Sequence, residues 1–259
     1  MGPAPIQNTF SRPKIFECDD GNRYVIKFHG QPFQSKMAAN EFLGFQLAKI
    51  LDLPVPTGVL LTVPNTIIPA GQQHQGTLHF GSLFDPEANP ASLVDFASLA
   101  NNHNCYPGVI AFDHWILNDD RYGNRGNLLI AKGSDSKYNI IIIDHGNAFS
   151  GPDWNPTTIS NFLDISPLPI NQTAAINYQP MLRRIASLDD FLPLFDKIEA
   201  IAEDEIDQCM TEIPIDWVNV VERNAIKDFL LQRKNKVRPA LLSHNDLLFY
   251  FRGGHPWIF

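Results

Sequence analysis

Cysteine is scarce in this sequence, three among 259 residues, and Cys18, Cys105 and Cys209 are scattered and odd in number. That pattern excludes a disulfide framework and offers no zinc-ligand pair. Positive charge is short as well: 20 Lys and Arg face 28 Asp and Glu, for a formal net charge of -8. Sequence-independent binding to nucleic acid needs a dense basic surface that displaces counterions, so direct nucleic-acid binding is not expected and only a local cationic phosphate site has room. No apolar run approaches the roughly 18 residues of a membrane span, and the first residues carry no signal-type apolar core. These scarcities predict a protein of the reducing cytoplasm with no membrane span. Global disorder is excluded in turn, because 44% of the residues are hydrophobic and 11% aromatic.

The first fifty residues read as a strand pair and a helix. Residues 14–18 and 23–28 flank Asp19, Asp20, Gly21 and Asn22, a hairpin-turn composition. Ser35 is the expected N-cap of a helix over 36–51, whose Leu43, Leu47, Ile50 and Leu51 follow the helical period before Pro54 and Pro56 stop it. Further strands are expected at 59–63 and 77–84, and helices at 95–100 and 106–117. A polar loop, 118–127, precedes a second hairpin formed by 128–131 and 138–143. Four consecutive isoleucines, 140–143, predict a strand buried on both faces. Helices are expected again at 181–185, 188–213 and 219–242. Strands first and helices later predict an α+β fold in two unequal lobes with a cleft between them: a β-rich lobe over residues 1–90 and a helical lobe over 91–259.

Chemistry concentrates in the polar loop, which packs two carboxylates, two arginines and three carboxamides into ten residues. Apolar elements on both sides fix its place. Seventeen residues past Asn127, the isoleucine strand delivers Asp144, followed by His145 and Gly146. A hairpin sets Asp144 beside Asn127, and an Asp with an Asn at adjoining strand ends supplies hard oxygen ligands suited to Mg²⁺ with phosphate oxygens filling the shell. Asp120 sits upstream, free to accept a proton from an attacking hydroxyl. In the first lobe, Lys27 ends a strand and Glu41 follows fourteen residues later on the helix, surrounded at helical spacing by Met37, Ala38, Gly44, Phe45 and Ala48. A carboxylate in such an apolar stripe needs a cation, and Lys27 is the candidate.

The order of these pieces resembles the HipA-like kinases of bacteria, which have a protein-kinase-like fold. Three segments carry the resemblance: 24–28 with Asn40, Glu41 and Leu53-Pro54-Val55-Pro56; 112–121 with Asn127-Leu128-Leu129; and 143–149. Together they span residues 12 to about 150. The resemblance implies a two-lobed kinase-like fold, with an N-lobe that covers the nucleotide. It implies that Lys27 holds the ATP α- and β-phosphates with Glu41 fixing its orientation, that Asp120 is the catalytic aspartate, and that Asn127 and Asp144 bind Mg²⁺. Arg121 takes a structural or charge-balancing part, and residues 9–13 lie where a phosphate-covering loop belongs.

Two departures accompany it. The segment Asn8-Thr9-Phe10-Ser11-Arg12 contains no glycine, so Ser11, Arg12 and backbone N–H groups would have to contact the nucleotide phosphates. A metal-binding Asn commonly stands about five residues past the catalytic aspartate; here Asn124 stands at plus four and Asn127 at plus seven. Asn127 is preferred because it directly precedes a strand, with Asn124 in reserve. His145 is expected to hydrogen-bond locally or to pack as an aromatic, Trp115 to lie in the core, and His103 and Cys105 to be loop residues. The strand around 78–83 is where a hinge would take the adenine. The implied activity is transfer of the ATP γ-phosphoryl group to a hydroxyl, first of a protein Ser or Thr, next of a small molecule or lipid. The competing class is a non-catalytic nucleotide- or partner-binding module on the same fold.

Overall fold

In the computed structural model, which describes residues 4–5, 13–28, 35–64, 66–68, 78–91, 95–133, 135–163 and 178–243, strands β1 (Ala4–Pro5), β2 (Lys14–Glu17) and β3 (Arg23–Lys27) run antiparallel side by side. The β2–β3 turn follows from its composition. Gly21 adopts φ 79°, open to glycine without a Cβ clash, and the Asp20 carboxylate accepts the Asn22 N–H at 2.9 Å. With β4 (Gly58–Thr62) and β5 (Leu78–Leu83) the sheet has the order β1-β2-β3-β5-β4, so β3 lies in its interior.

Alternation along β3 sends Tyr24 and Ile26 to one face, into a small core with Phe16, Phe28, Val63 and Ile68. Lys27 belongs to the other face, opposite Phe80 of β5. Phe80 packs against Phe42 and Phe45 of helix α1 (Met37–Ile50), so this face carries the helix. The helix starts differently from expectation. Lys36, not Ser35, occupies the N-cap, and no side chain caps it. Instead the Lys36 N–H donates to Pro152 O at 2.8 Å and the Ser35 N–H reaches Asp153 Oδ1 at 3.4 Å. A distant segment therefore satisfies the N–H of the N-cap residue, one of the orphan donors at this helix end.

The second sheet joins β6 (Asn89–Pro90), β7 (Leu128–Lys132) and β8 (Tyr138–Ile142) in that order, all antiparallel. Ile140 and Ile142 are buried while Ile141 and Ile143 are half-buried, which corrects the expectation of a strand covered on both faces. The hairpin is antiparallel and turns one face to the core.

Helices α2 (Phe96–Leu99) and α3 (Tyr106–Ile116) precede the polar loop, and every residue of α3 is buried. The loop itself folds as a short helix, α4 (Asp120–Gly123), and a 3-10 turn (Arg125–Asn127). Among the described residues the elements that follow are helical: α5 (Pro156–Ser160), α6 (Tyr178–Leu182), α7 (Leu192–Ala200), α8 (Glu203–Glu212), α9 (Val220–Lys234) and α10 (Val237–Leu242). Both long helices expected in this half are broken. Three acidic residues open α8, and Glu205 accepts the Ala202 N–H at 2.9 Å, a contact that starts a new helix just after α7 ends. The second break falls at Asn235 and Lys236, where the Lys236 N–H turns back to Arg233 O at 2.8 Å. One continuous core runs from α1 through α3 and the β7–β8 hairpin to α9. Buried Arg233 donates to Trp115 O at 3.1 Å and to His114 O, holding the carbonyl end of α3 from which the polar loop departs. Among the described residues no helix is long and apolar enough to cross a membrane.

Candidate active site

Lys27, Glu41 and Asp144 converge where the first sheet, α1 and the end of β8 meet. The Lys27 ammonium donates to Glu41 Oε1 and, at 2.6 Å, to Asp144 Oδ1. Glu41 also accepts the Gly146 N–H at 2.9 Å. One cation thus faces two carboxylates that differ in depth: the Glu41 side chain keeps 4% of its surface open and that of Asp144 31%. Burial pushes the Glu41 carboxyl up to about 7, since the opposing pull of Lys27 is offset by the nearby charge of Asp144. Asp144 is raised by burial too, but the charge of Lys27 and the hydrogen bonds around it outweigh this and hold its carboxyl well below the usual range. Burial disfavours the Lys27 ammonium, yet the two carboxylates together keep it more firmly protonated than usual. The result is one ionised, partly open carboxylate beside a fixed cation.

The polar loop supplies a second group of residues. Leu117 takes φ 52°, turning the chain off α3, and the Asn118 N–H returns to Asp113 O at 2.9 Å. Asn127 Nδ2 donates to Asp120 Oδ2 at 2.6 Å. Because the amide must donate to a carboxylate, this contact leaves Asn127 Oδ1 as the acceptor end. Asn124 is exposed, stands 3.4 Å from the same Asp120 oxygen, and spends its own Oδ1 on the Gly126 N–H at 2.9 Å. Of the two asparagines, Asn127 is the buried one held against Asp120. The Ile143 N–H donates to Asn127 O at 3.1 Å, so the strands stay paired one step beyond the ladder and Asp144 follows directly.

Arg121 fastens these parts from below. Its Nε donates to Asp113 Oδ1 and Oδ2 at 3.0 and 2.9 Å, and its Nη1 to the carbonyls of Asn127 and Ile143 at 2.8 and 2.5 Å. The Tyr178 hydroxyl donates to Asp113 Oδ2 at 2.8 Å. Arg121 and Asp113 are both fully buried, and burial raises the Asp113 carboxyl while Arg121 opposes it. Asp113 was not singled out from the sequence, although a carboxylate inside the apolar run 106–117 is a legible sign of a buried partner.

His145 packs as an aromatic, its ring edge-to-face with Phe112 at 5.8 Å. Burial holds its imidazole well below the usual range, hence neutral. A Cβ on Gly44 would lie 2.5 Å from His145 Cβ, so only glycine lets α1 approach this closely. Trp115 lies in the core, and His103 and Cys105 form a 3-10 turn away from these groups. Ser11 and Arg12, together with the expected phosphate loop up to Arg12, lie outside the described residues.

Among the described residues no group of three or more His, Cys, Asp or Glu side chains surrounds a cation position. A hard cation here would take one carboxylate from Asp144 and one amide oxygen from Asn127, with ligand oxygens completing its shell. The ionised and partly open state of Asp144 fits that demand.

Comparison with known proteins identifies a family and a fold. A sequence model described as HipA-like kinase matches residues 4–166. No curated protein matches the chain. Among solved structures, the Helicobacter pylori proinflammatory kinase CtkA superposes with a TM-score of 0.57 at 15% identity, covering 95% of this chain and 94% of that one. A Golgi casein kinase gives a TM-score of 0.51 at 11% identity over 94% of this chain and 72% of the other. A second Golgi casein kinase structure, with Mn/ADP bound, gives 0.50 at 10% identity over 99% and 77%. These likenesses show a protein-kinase-like fold: a β-rich N-lobe and a helical C-lobe.

Proposed function

The chain belongs to the HipA-like kinase family, and from that premise we propose that it is an ATP- and Mg²⁺-dependent kinase whose acceptor is a hydroxyl, first of a protein Ser or Thr. The observation that carries this reading is the placement of Lys27 between Glu41 and Asp144, with the Asp120–Asn127 pair one strand end away. Mg²⁺, when held by Asp144 and Asn127, supplies charge neutralisation of the triphosphate oxygens. Lys27 binds the α- and β-phosphates, oriented by buried Glu41. Asp120 orients the acceptor hydroxyl and takes its proton as the oxygen bonds to the γ-phosphorus; the bridging bond to the β-phosphate breaks and ADP departs. Arg121 keeps Asn127 and Asp144 in register by binding the carbonyls of residues 127 and 143. Ser11 and Arg12 are proposed to contact the phosphates from the segment before β2.

Transfer of labelled γ-phosphate from Mg·ATP to a Ser/Thr/Tyr peptide library tests the reading. Wild type should label Ser or Thr, and Asp120→Ala should lose at least 100-fold in turnover, with a much smaller loss of nucleotide affinity through the freed Asn127. Equal turnover in Asp120→Ala would remove that residue from the mechanism, and labelling of no hydroxyl by a nucleotide-binding wild type would favour the binding-module alternative.

A further inference from the structure

Asn40 immediately precedes Glu41 on α1 and is fully buried. Its Nδ2 lies 2.9 Å from Gly146 O, 2.9 Å from Ala148 O and 3.1 Å from Gly151 O. Its Oδ1 accepts the Trp154 indole N–H at 2.9 Å. The orientation of the amide is fixed by chemistry: three carbonyls can only accept, and an indole can only donate. The acceptors all come from the segment that follows Asp144, which has no ladder to satisfy its backbone. Asp144, Phe149 and Ser150 hold φ of 61°, 60° and 74°, a left-handed region that non-glycine residues rarely occupy. Such a backbone persists only where its surroundings over-determine it. Gly44, one turn further along α1, adds its close approach to His145.

We propose that Asn40 is a positioning residue for phosphoryl transfer: by gathering the carbonyls of residues 146, 148 and 151 it holds Asp144 in the left-handed conformation from which its carboxylate meets Lys27. The inference rests on the kinase reading. Glu41 and Asn40 then act as one clamp, Glu41 taking the Gly146 N–H and Asn40 the carbonyls beyond it. No other side chain of this length offers two donors and one acceptor. Aspartate offers no donor, serine offers one, and glutamine is a methylene too long for a fully buried site.

Two measurements on the same samples test it: hydrogen exchange of peptides covering 144–151 without nucleotide, and the affinity for ATP with and without Mg²⁺. In Asn40→Ala, exchange of 144–151 should rise at least tenfold while α9 stays protected. Affinity for Mg·ATP should fall at least tenfold, and metal-free affinity should change less than threefold. A merely structural residue would lower both affinities together, and that outcome overturns the positioning role. Unchanged exchange in 144–151, with a wild type that binds Mg·ATP, overturns the proposal and leaves the kinase reading standing. A folded wild type that binds no nucleotide overturns the kinase reading itself, and the positioning role with it. Should Asn40→Ala not fold, Trp154→Phe removes only the bond to Oδ1. It should show the same pattern at three- to tenfold, and wild-type values for both measurements would refute the proposal.

Discussion

Replacing Arg121 with methionine keeps most of the buried volume and removes the guanidinium. The Asp113 carboxylate then loses both oxygens' contact with Nε and keeps the Tyr178 hydroxyl as its remaining assigned donor. The carbonyls of Asn127 and Ile143 lose Nη1. Breaking one side of a buried ion pair costs about 3–5 kcal/mol. The Asn127 carbonyl keeps the Ile143 N–H, whereas the Ile143 carbonyl, left without a donor, adds about 1–3 kcal/mol. A loss of at least about 4 kcal/mol is expected, a large share of the roughly 5–15 kcal/mol that holds a domain together. With a urea slope of about 3 kcal/mol per M, the unfolding midpoint should drop by at least about 1.3 M, read by circular dichroism and tryptophan fluorescence so that coincident curves establish a single transition. Adding Asp113→Asn should recover about 1–3 kcal/mol relative to the sum of the single changes, because it removes the stranded charge. A midpoint shift under about 0.3 M, or a double variant no better than additive, would refute the reasoning that this pair anchors the polar loop.

Gly44→Ala places a methyl 2.5 Å from His145 Cβ; overpacking of this kind costs about 1–3 kcal/mol, and nucleotide affinity should fall with it as α1 is pushed from the Asp144 segment. Retention of both stability and affinity in calorimetry would show that the contact is slack. Glu41 supplies a pH test. Its folded-state value of about 7 lies above its ordinary 4.5, so its contribution to the nucleotide-free fold is complete below about pH 4.5 and is lost as pH rises through about 7, worth roughly 3 kcal/mol at ~1.4 kcal/mol per unit. Asp144 has the opposite sign, its contribution present above its ordinary 3.8 and lost in strong acid; neutral His145 likewise stabilises above its ordinary 6.5. The quantity to read is therefore the Tm difference between wild type and Glu41→Gln, which should shift in favour of the glutamine variant between pH 5 and 8. A difference constant across that range would contradict the buried, charge-crowded environment of Glu41.

The parts of this fold that sequence makes legible are those fixed by neighbours in the chain. The Asp20-Gly21 turn, the strand ending in Lys27, the helix carrying Glu41 and the β7–β8 hairpin each follow from local turn chemistry or periodicity. The hairpin alone suffices to bring Asn127 and Asp144 together. What was missed depends on distant residues. The Lys36 N–H is taken by the distant Pro152 carbonyl, and no local pattern shows that. The insertion of β5 between β3 and β4 is a non-local pairing. Asn40 stands beside Glu41 in a segment that carries the family resemblance, but its role shows only when carbonyls more than a hundred positions away surround it. The acidic start of α8 was, by contrast, a readable helix beginning inside an apparently continuous pattern.

The most direct test of the account is calorimetric titration of ATP into the protein with Mg²⁺ and with chelator, for wild type and Asp144→Ala. The account requires binding that depends on Mg²⁺ and is at least tenfold weaker in the variant, about 1.4 kcal/mol. Equal affinity in the two proteins, or no heat with ATP or GTP from a folded wild type, would contradict it.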